Sequence, residues 1–294
     1  MSAVTPSAPA WSVVVPTRRA AKLREEFLPG LLEAAGPSAE VVLALDNVPA
    51  PAGAADARVR WVQHCGTRGF APACNTGARA AHGIRLLFLN DDILVGHGLL
   101  EALSPVLDSG AAAAVGPDVW SVALGRSESG TRLYWHHGVL ESRQEALAGE
   151  GLVEVPYVCG AALAVRAADF GVVGGFDERL APYYWEDVDL CLRLRSRFAP
   201  AAVLADVRVE HAHGATISQE PAGRRRRIYE RNRLLVSWGA LEGARWLRHL
   251  AWITPRLAAA LLRDPRTALA LPGALLRRAQ GRHEGRPPQG RRHG

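Results

Sequence analysis

Short apolar runs recur along the first third of the chain, and segments with helical spacing separate them. These runs predict buried β-strands over Trp11–Pro16, Glu40–Asn47, Arg58–Gln63 and Ile84–Asn90. Leu23, Phe27 and Leu31 recur at four-residue steps and predict a helix over residues 20–35. Further helices are expected over residues 69–81 and 99–107. Buried strands that alternate with helices are typical of an α/β fold, in which a mostly parallel central sheet is the middle layer of a three-layer αβα sandwich.

The pattern is less regular beyond residue 115. The expected elements there are a strand–turn–strand unit, a helix, and one or two strands, over Leu152–Arg166, Glu186–Arg197 and Ala201–His211 respectively. From residue 224 onward the spacing is helical and amphipathic, with Leu234, Trp238 and Leu241 on one face. Residues 1–10 are expected to form a flexible tail, and residues 281–294, which are rich in Gly, Pro, Arg and His, a disordered one.

Charge divides the chain into two unequal parts. Residues 224–294 contain 17 arginines and four acids, a net charge of +13, whereas residues 1–223 contain 18 basic and 25 acidic side chains, a net charge of −7. A GC-rich coding sequence explains why the chain uses arginine in place of lysine, but it does not explain this segregation. The basic end favours an anionic partner, which is a membrane lipid, a phosphorylated substrate or a nucleic acid.

Cysteine spacing and hydropathy limit the class of protein. The four cysteines show no CxxC spacing, which argues against a zinc site and against a disulfide framework, and which fits a reduced, cytoplasmic protein. The first ten residues lack the charged and apolar regions of a signal peptide. No apolar stretch has the length that a membrane-spanning helix needs. A chain of 294 residues with 48% hydrophobic residues is expected to form either one large domain or a domain plus an appendage.

Carboxylates follow two of the predicted strands. Asp46 ends the second strand, and Asn90, Asp91 and Asp92 follow the fourth. Because ligands of parallel α/β sheets bind beyond the carboxyl ends of the strands, these acids are expected to lie near one crevice. One acid after a strand is explained by a helix N-cap. Two adjacent acids also fit a hard divalent cation such as Mg²⁺ or Mn²⁺, and the sequence alone leaves both interpretations open.

A second acidic cluster follows three aromatic residues, in the order Tyr183, Tyr184, Trp185, Glu186, Asp187 and, two positions on, Asp189. Acids at the start of a helix are favoured by the helix macrodipole, which explains one or two of them. The aromatic residues suit the wall of a pocket that stacks on a sugar ring, and a carboxylate there could act as a general base. His211 and His213 are two residues apart and are either surface residues or, for one of them, a metal ligand or phosphate contact.

The glycine-rich segment Gly66–Gly77 does not carry a known nucleotide-binding motif. It contains neither GxxxxGK[ST] nor GxGxxG after a first strand. P-loop nucleotidases and Rossmann dehydrogenases are therefore not favoured.

Taken in order, these motifs resemble the family 2 glycosyltransferases with the GT-A fold, and in particular a bacterial rhamnosyltransferase-like branch. The matching segments are Val13–Thr17, Asp46-Asn47, Gly69-Phe70-Ala71 with Asn75 and Gly77, Leu89–Asp92, Gly160-Ala161 with Arg166, Gly174–Glu178, Glu186–Arg193, His211–Thr216 and Arg231-Asn232. Each segment alone is weak, but the ordered set over about residues 11–235 is highly specific. The chain departs from the family at Val48–Pro51, where Ser and Asp are common, and at Asn90, the first position of the DxD-type motif.

The resemblance implies a metal-dependent, inverting transfer of a sugar from a nucleotide-diphosphate donor to an acceptor hydroxyl, in the synthesis of cell-surface polysaccharide or glycoconjugate. Asp187 would be the general base, with Glu186 beside it. Asp92, Asp91 and His211 would hold Mg²⁺ or Mn²⁺. The residues implied to contact the donor are Pro16, Thr17, Asp46, Gly69, Asn75, Asp91 and Arg231, and those implied to contact a glycan, lipid-linked or small-molecule acceptor are Gly160 and Trp185.

The resemblance also divides the chain into a GT-A catalytic domain, residues 11–223, and a basic amphipathic helical extension, residues 224–280. The extension is expected either to dock on an anionic membrane at its cytoplasmic face, with Trp238, Trp246 and Trp252, or to pack on the catalytic domain. No nucleic-acid recognition motif accompanies it. An inactive scaffold and a sugar nucleotidyltransferase are alternatives. The retained acids argue against the first, and the missing glycine-rich loop after the first strand argues against the second.

Overall fold

The computed structural model describes residues 9–52, 56–212, 220–263 and 269–279. The strands are β1 (Trp11–Thr17), β2 (Ala39–Asp46), β3 (Val59–His64), β4 (Arg85–Leu89), β5 (Ile93–Leu94), β6 (Ala114–Ser121), β7 (Arg126–Ser127), β8 (Thr131–His136), β9 (Val139–Gln144), β10 (Leu152–Val155), β11 (Ala162–Arg166) and β12 (Ala201–His211). The helices are α1 (Ala20–Lys22), α2 (Leu28–Ala35), α3 (Phe70–Ala80), α4 (Leu99–Ser109), α5 (Ala167–Val172), α6 (Glu186–Arg195), α7 (Ala222–Ala240), α8 (Arg245–Arg263) and α9 (Ala270–Ala279). A π-helical turn, Leu23–Phe27, joins α1 to α2, and a 3₁₀ helix spans Glu178–Leu180.

Ten of the described strands form one sheet in the order β10-β12-β6-β11-β4-β1-β2-β3, with β5 beside β12 and β7 beside β6. β1 is parallel to β2 and β4, β2 is parallel to β3, and β6 is parallel to β12. β11 runs antiparallel between β4 and β6. The predicted α/β fold with a mostly parallel central sheet is confirmed.

The sheet buries both of its faces. Side chains alternate along β1, so that Val13 and Val15 belong to one hydrophobic cluster and Val14 belongs to another on the opposite face. Helix α3 approaches the second face closely, because a Cβ on Gly77 would lie 2.5 Å from a methyl carbon of Val14. Burial on both faces explains why the strands read as continuous apolar runs rather than as alternating ones.

The sequence pattern does not predict β6 or the hairpin of β8 and β9. Gly116, Pro117 and Asp118 interrupt the apolar residues of β6, although all three are buried. β8 alternates between half-buried and exposed residues and has no apolar run. The segment Ala201–His211, expected as one or two strands, is the single strand β12, whose register shifts between Leu204 and Arg208.

The C-terminal helices pack against the hairpin and against α6 rather than standing free. A third hydrophobic cluster joins β9, α6, α7 and α9, and it includes Val139, Val188, Leu235 and Ala274. The expectation that Trp238 belongs to an exposed docking face is wrong, because its side chain is 8% exposed within this cluster. Leu234, Trp238 and Leu241 are all buried, as their shared helical face predicts.

No helix of the described residues is long and apolar enough to span a membrane. The predicted tails lie mostly outside the described residues, since the structure describes only residues 9 and 10 of the first and none of residues 281–294. His213, the second histidine of the predicted pair, also lies outside them.

Candidate active site

A cavity of about 440 Å³ opens at the carboxyl ends of three parallel strands. Thr17 ends β1, Asp46 ends β2, and Asp91 and Asp92 follow β4, and all four line the cavity. The sheet therefore places these side chains at one edge, as the positions after the predicted strands imply. Pro16 and Gly69 also line this cavity.

A tight turn after β4 presents the two adjacent acids. The backbone N–H of Asn90 donates to the carbonyl of Ala161 at 2.9 Å, which extends the pairing with the β11 side of the sheet. The N–H of Ile93 then donates to the carbonyl of Asn90 at 3.3 Å and closes the turn around Asp91 and Asp92. β5 next pairs with β12 through Ile93 and His211, so that His211 comes to lie beside Asp92.

Asp91 is bound by protein donors on both carboxylate oxygens. Thr17 donates to Oδ2 at 2.7 Å, and the Arg19 guanidinium donates to Oδ1 at 2.5 Å and to Oδ2 at 3.3 Å. The hydrogen bond to Asp91 raises the pKa of Arg19. Both oxygens of Asp91 thus have protein partners, and the expectation that Asp91 shares a metal ion with Asp92 stays a prediction.

Asp92 faces an imidazole that a second carboxylate orients. His211 Nε2 lies 3.2 Å from Asp92 Oδ1, and His211 Nδ1 lies 2.8 Å from Glu128 Oε2. Burial alone would lower the pKa of His211, but the hydrogen bonds to Asp92 and Glu128 outweigh it and raise that pKa to about 9. Glu128 does not stand out in the sequence, because it lies in the irregular region after β7 and belongs to none of the motifs.

The side chains of Asp92 and His211 fit a divalent cation in their chemistry. A carboxylate oxygen and an imidazole nitrogen converge on one point, and a carboxylate on the far ring nitrogen is the usual support for a metal-binding histidine. Among the residues that the structure describes, no group of three or more His, Cys, Asp or Glu side chains could hold a metal. Asp92 and His211 would supply two of the ligands of such a cation, and substrate oxygens or water would supply others.

The second acidic pair lies at the start of α6. The backbone N–H of Gly160 donates to Asp187 Oδ2 at 3.0 Å, and the N–H of Val188 donates to Oδ1 at 2.8 Å. Burial raises the pKa of Asp187 even though these hydrogen bonds lower it. Burial and the neighbouring charge of Asp187 raise the pKa of Glu186, whose Oε2 is buried without a hydrogen-bond partner among the described residues. Of the two, Asp187 is the better stabilised anion, and Glu186 holds a proton more strongly.

Asp187 does not line the cavity itself. It is linked to the cavity through two neighbours, since Gly160 donates to Asp187 and the adjacent Ala161 accepts from Asn90. A Cβ on Gly160 would lie 3.5 Å from Asp187 Oδ2, so glycine leaves the space beside this carboxylate open.

The aromatic residues before α6 have different surroundings. Tyr183 lines the cavity, but Trp185 is 3% exposed and packs edge-on against Tyr229 with ring centroids 5.6 Å apart. The burial of Trp185 does not favour the expected contact with an acceptor, which stays a prediction. Tyr184 and Trp185 both have positive φ angles, 77° and 75°, which non-glycine residues rarely adopt.

Asn232 holds this unusual backbone. Its buried Nδ2 lies 2.9 Å from the carbonyl oxygen of Tyr183, 2.8 Å from that of Tyr184 and 2.5 Å from that of Leu180. The Arg-Asn motif singles out Arg231 for the donor, but Arg231 donates to the carbonyls of Leu180 and Ala181 and does not line the cavity. Burial and the positive charges of Arg277 and Arg227 lower the pKa of Arg231 to about 10.

Hydrogen bonds within the protein also hold the side chain of Asn75. It donates to the carbonyl of Phe176 at 2.9 Å and to Glu178 at 3.0 Å, and it accepts from the Phe176 N–H at 2.9 Å. The predicted donor contact of Asn75 is not favoured, because its amide is turned away from the cavity. Gly69 is required for a different reason: it has φ +147°, and a Cβ there would lie 2.7 Å from the backbone of Pro182.

Three arginines that sequence reasoning does not single out line the cavity, namely Arg18, Arg68 and Arg224. Each has an exposed side chain, and Arg224 also lies 3.4 Å from Glu220. Cations on several sides of a cavity that also holds Asp46 and Asp92 suit a ligand with both anionic and hydrogen-bonding groups. The arginines follow β1, precede α3 and begin α7, so only the fold brings them together.

Several solved structures share this fold. GalNAc-T7 with UDP, GalNAc and Mn²⁺ aligns with a TM-score of 0.57 at 15% identity, over 79% of this chain and 48% of that chain. The mannosyltransferase PcManGT from Pyrobaculum calidifontis, with GDP-Man and Mn²⁺, aligns with a TM-score of 0.53 at 18% identity, over 94% and 84%. S. aureus TarS 1–349 with UDP-GlcNAc aligns with a TM-score of 0.57 at 16% identity, over 91% and 81%. The fold is GT-A.

The chain belongs to glycosyl transferase family 2, whose sequence profile matches residues 12–170. The pre-mycofactocin glycosyltransferase of Mycobacterium tuberculosis is 32% identical over 152 residues, which are 50% of this chain. This chain covers 32% of the length of that curated relative. The predicted family is confirmed, and the rhamnosyltransferase-like branch stays a prediction.

Proposed function

We propose that the protein transfers a sugar from a nucleotide-diphosphate donor to an acceptor hydroxyl, with a divalent cation and with inversion at the sugar carbon. The proposal rests on one observation: this family 2 glycosyltransferase contains two separate carboxylate sites. One site lies in the cavity beside an imidazole and arginines, and the other, which consists of buried Glu186 and half-buried Asp187, lies at the start of α6. The two sites fit the two demands of the reaction, which are a stabilised leaving group and an activated nucleophile.

The cavity would bind the donor. Asp46 at the end of β2 is placed to accept hydrogen bonds from the base or ribose, while Arg18, Arg68 and Arg224 would face the diphosphate. The solved neighbours contain UDP, UDP-GlcNAc or GDP-Man, which supports a nucleotide-sugar donor. Asp91 would position Arg19 and Thr17 at the edge of this site rather than bind the cation.

Asp92 and His211 would hold the divalent cation, with Glu128 orienting the imidazole. The cation, when bound, stabilises negative charge on the departing diphosphate. The protein holds these two side chains in place. The turn after β4 fixes Asp92, and pairing of β5 with β12 fixes His211 against it.

Asp187 would take the proton of the acceptor hydroxyl. The N–H groups of Gly160 and Val188 hold its carboxylate in one orientation, and burial raises its pKa and therefore its strength as a base. Glu186 would keep a proton and so avoid a second negative charge beside the base. A base that removes the acceptor proton without bonding to the sugar gives inversion in a single displacement.

The acceptor is proposed to be a glycan or glycoconjugate of the cell surface. The 32% sequence identity to pre-mycofactocin glycosyltransferase supports pre-mycofactocin as an alternative candidate acceptor. Incubation of the enzyme with each acceptor class and a radiolabelled donor distinguishes the two, since only the true acceptor becomes labelled.

The experiment that tests the proposal is a screen of UDP-, GDP- and dTDP-sugars for thermal stabilisation of the protein, with and without Mn²⁺. We expect one nucleotide sugar to raise the melting temperature, and we expect the rise to need the cation. Stabilisation by no nucleotide sugar, or equal stabilisation with a chelator present, would contradict the proposal. An inactive scaffold would bind the donor without turnover, which a hydrolysis assay detects.

A further inference from the structure

Helix α8 has one face fixed to the rest of the protein. Trp238 donates from Nε1 to His249 Nε2 at 2.8 Å, so the other ring nitrogen of His249 carries the proton and donates to the carbonyl of Gly138 at 2.9 Å. His249 is buried, and Trp246 and Ile253 pack on the third cluster from the same face. These contacts fix which side of α8 points outward.

The outward side of α8 and the adjacent part of α9 are apolar. Leu247 is 71% exposed and Leu250 61%, and in α9 Leu275 and Leu276 are 54% and 64% exposed. These four leucines are the α8–α9 outer face. Trp252 does not belong to it, because it lies two residues from Leu250 in the helix and its ring stacks on that of His137 with centroids 3.9 Å apart. Thirteen large hydrophobic residues of the described chain are exposed, and four of them belong to this face, although it lies on only two of the described helices. A concentration of this kind marks an interaction surface.

Arginines surround the outer face. Arg245 and Arg248 are exposed on α8, and Arg278 of α9 lies 5.7 Å from the ring of Trp246, which brings the two helices together. Arg245 also lies over the ring of Trp135 at 5.2 Å, and within the described chain none of the three arginines is in an ion pair. Residues 224–294 carry a net charge of +13, so acids of the same region do not balance them.

We propose that the α8–α9 outer face docks on the surface of an anionic lipid bilayer, with its leucines in the interfacial region and its arginines at the headgroups. An amphipathic helix with leucine on one side and arginine beside it lies in the plane of the interface. A second copy of the chain suits the face less well. A symmetric contact would oppose the arginines of one copy to those of the other. This inference does not depend on the proposed glycosyl transfer.

The test is flotation of the full-length protein with vesicles of phosphatidylcholine alone or mixed with phosphatidylglycerol. We expect the protein to float with the anionic vesicles only, and we expect high salt to release it. Leu247→Ser with Leu250→Ser should weaken binding by at least about tenfold, since both side chains lose an apolar environment. Arg248→Gln should weaken it by about fivefold.

The matched control is Val172→Ser, because Val172 is 57% exposed on α5. It should float as the wild type does, and melting curves should show that every variant is folded. Failure of the wild type to float with anionic vesicles, or unchanged flotation of the double leucine variant, would overturn the proposal. So would a change in molar mass of the leucine variant in solution without any vesicle binding, because the face would then be a contact between copies.

Discussion

Two pairs of adjacent acids in this protein have opposite electrostatic surroundings. Asp91 and Asp92 face cations, since Arg19 binds the first and His211 lies 3.2 Å from the second. Glu186 and Asp187 have no ion pair among the described residues, and burial raises the pKa of both. Asp91 and Asp92 come one residue after an apolar run, and Glu186 and Asp187 come directly after aromatic residues. The sequence pattern alone therefore does not distinguish the two pairs.

The difference indicates which pair belongs to the site that binds a charged ligand and which pair supplies the general base. A carboxylate paired with neighbouring cations is suited to a site where a charged ligand binds. A buried carboxylate with a raised pKa has a stronger affinity for protons and suits a general base. Of the four predictions below, each alters these acids or a residue that holds their surroundings, and the first three run from the largest expected effect to the smallest.

The largest effect is expected for Asp187→Asn. The amide keeps the size of the side chain but cannot accept the acceptor proton, so turnover should fall by about 10²–10⁴-fold. Steady-state rates with the donor from the screen measure this. Asp108→Asn, a matched change at an exposed acid that pairs with Arg85, should leave turnover unchanged. Near-normal turnover of Asp187→Asn would exclude it as the base.

A smaller loss is expected for Asn232→Ala. The amide holds the left-handed backbone of Tyr184 and Trp185, so its removal leaves buried carbonyl groups without their donor and should cost roughly 3 kcal/mol of unfolding free energy. Urea denaturation measures this. Asn232→Asp, which keeps the size but has no amide donor, should also destabilise the protein, whereas Gln144→Ala should not. A stable Asn232→Ala variant would mean that other contacts hold the turn before α6.

Glu128→Gln tests the orientation of His211. A glutamine can still contact the ring nitrogen but without charge, so the affinity for Mn²⁺ in the presence of nucleotide should fall by about 10–100-fold. Electron paramagnetic resonance of free Mn²⁺ measures the affinity directly and without turnover. Glu154→Gln, at an exposed glutamate that pairs with Arg195, is the control. Unchanged affinity in Glu128→Gln would show that Glu128 does not position the imidazole.

The last prediction concerns the pH dependence of stability. Because burial raises the pKa of Glu186 in the folded state, the folded protein binds more protons than the unfolded chain between the ordinary carboxyl pKa and the raised one. The free energy of unfolding should therefore fall as pH rises through this window, by at most about 1.4 kcal/mol per pH unit and proton. Denaturation from about pH 5 to about pH 8 measures the slope. Glu186→Gln should reduce that slope and Asp108→Asn should not, while an equal slope in all three proteins would contradict the account.

The sequence predicted the sheet and the edge where the cavity lies, since apolar runs ending in acids identify strands whose two faces are buried. It did not predict the arginines of the cavity, because Arg18, Arg68 and Arg224 are far apart in the chain and only the fold joins them. Glu128 was missed for the same reason. It reaches His211 through strand pairing that no local pattern records.

The sequence also did not predict in which direction the side chains of the motif residues point. Asn75, Trp185 and Arg231 belong to motifs of the family, yet each is turned into the protein, where Asn75 and Arg231 bind backbone groups. In the Arg-Asn motif, the neighbour Asn232 is the residue that shapes the start of α6. A motif thus identified the right segment without showing which of its side chains faces the cavity.

The central claim is that Asp92 serves metal-dependent donor binding and that Asp187 serves proton transfer. Calorimetric titration of the donor in the presence of Mn²⁺ tests this claim most directly. Asp187→Asn and Asp92→Asn are measured beside the wild type, each with and without the cation. We predict that Asp187→Asn binds the donor as the wild type does, and that Asp92→Asn loses the part of the affinity that depends on Mn²⁺. Unchanged metal-dependent binding in Asp92→Asn, or its loss in Asp187→Asn, would contradict this division.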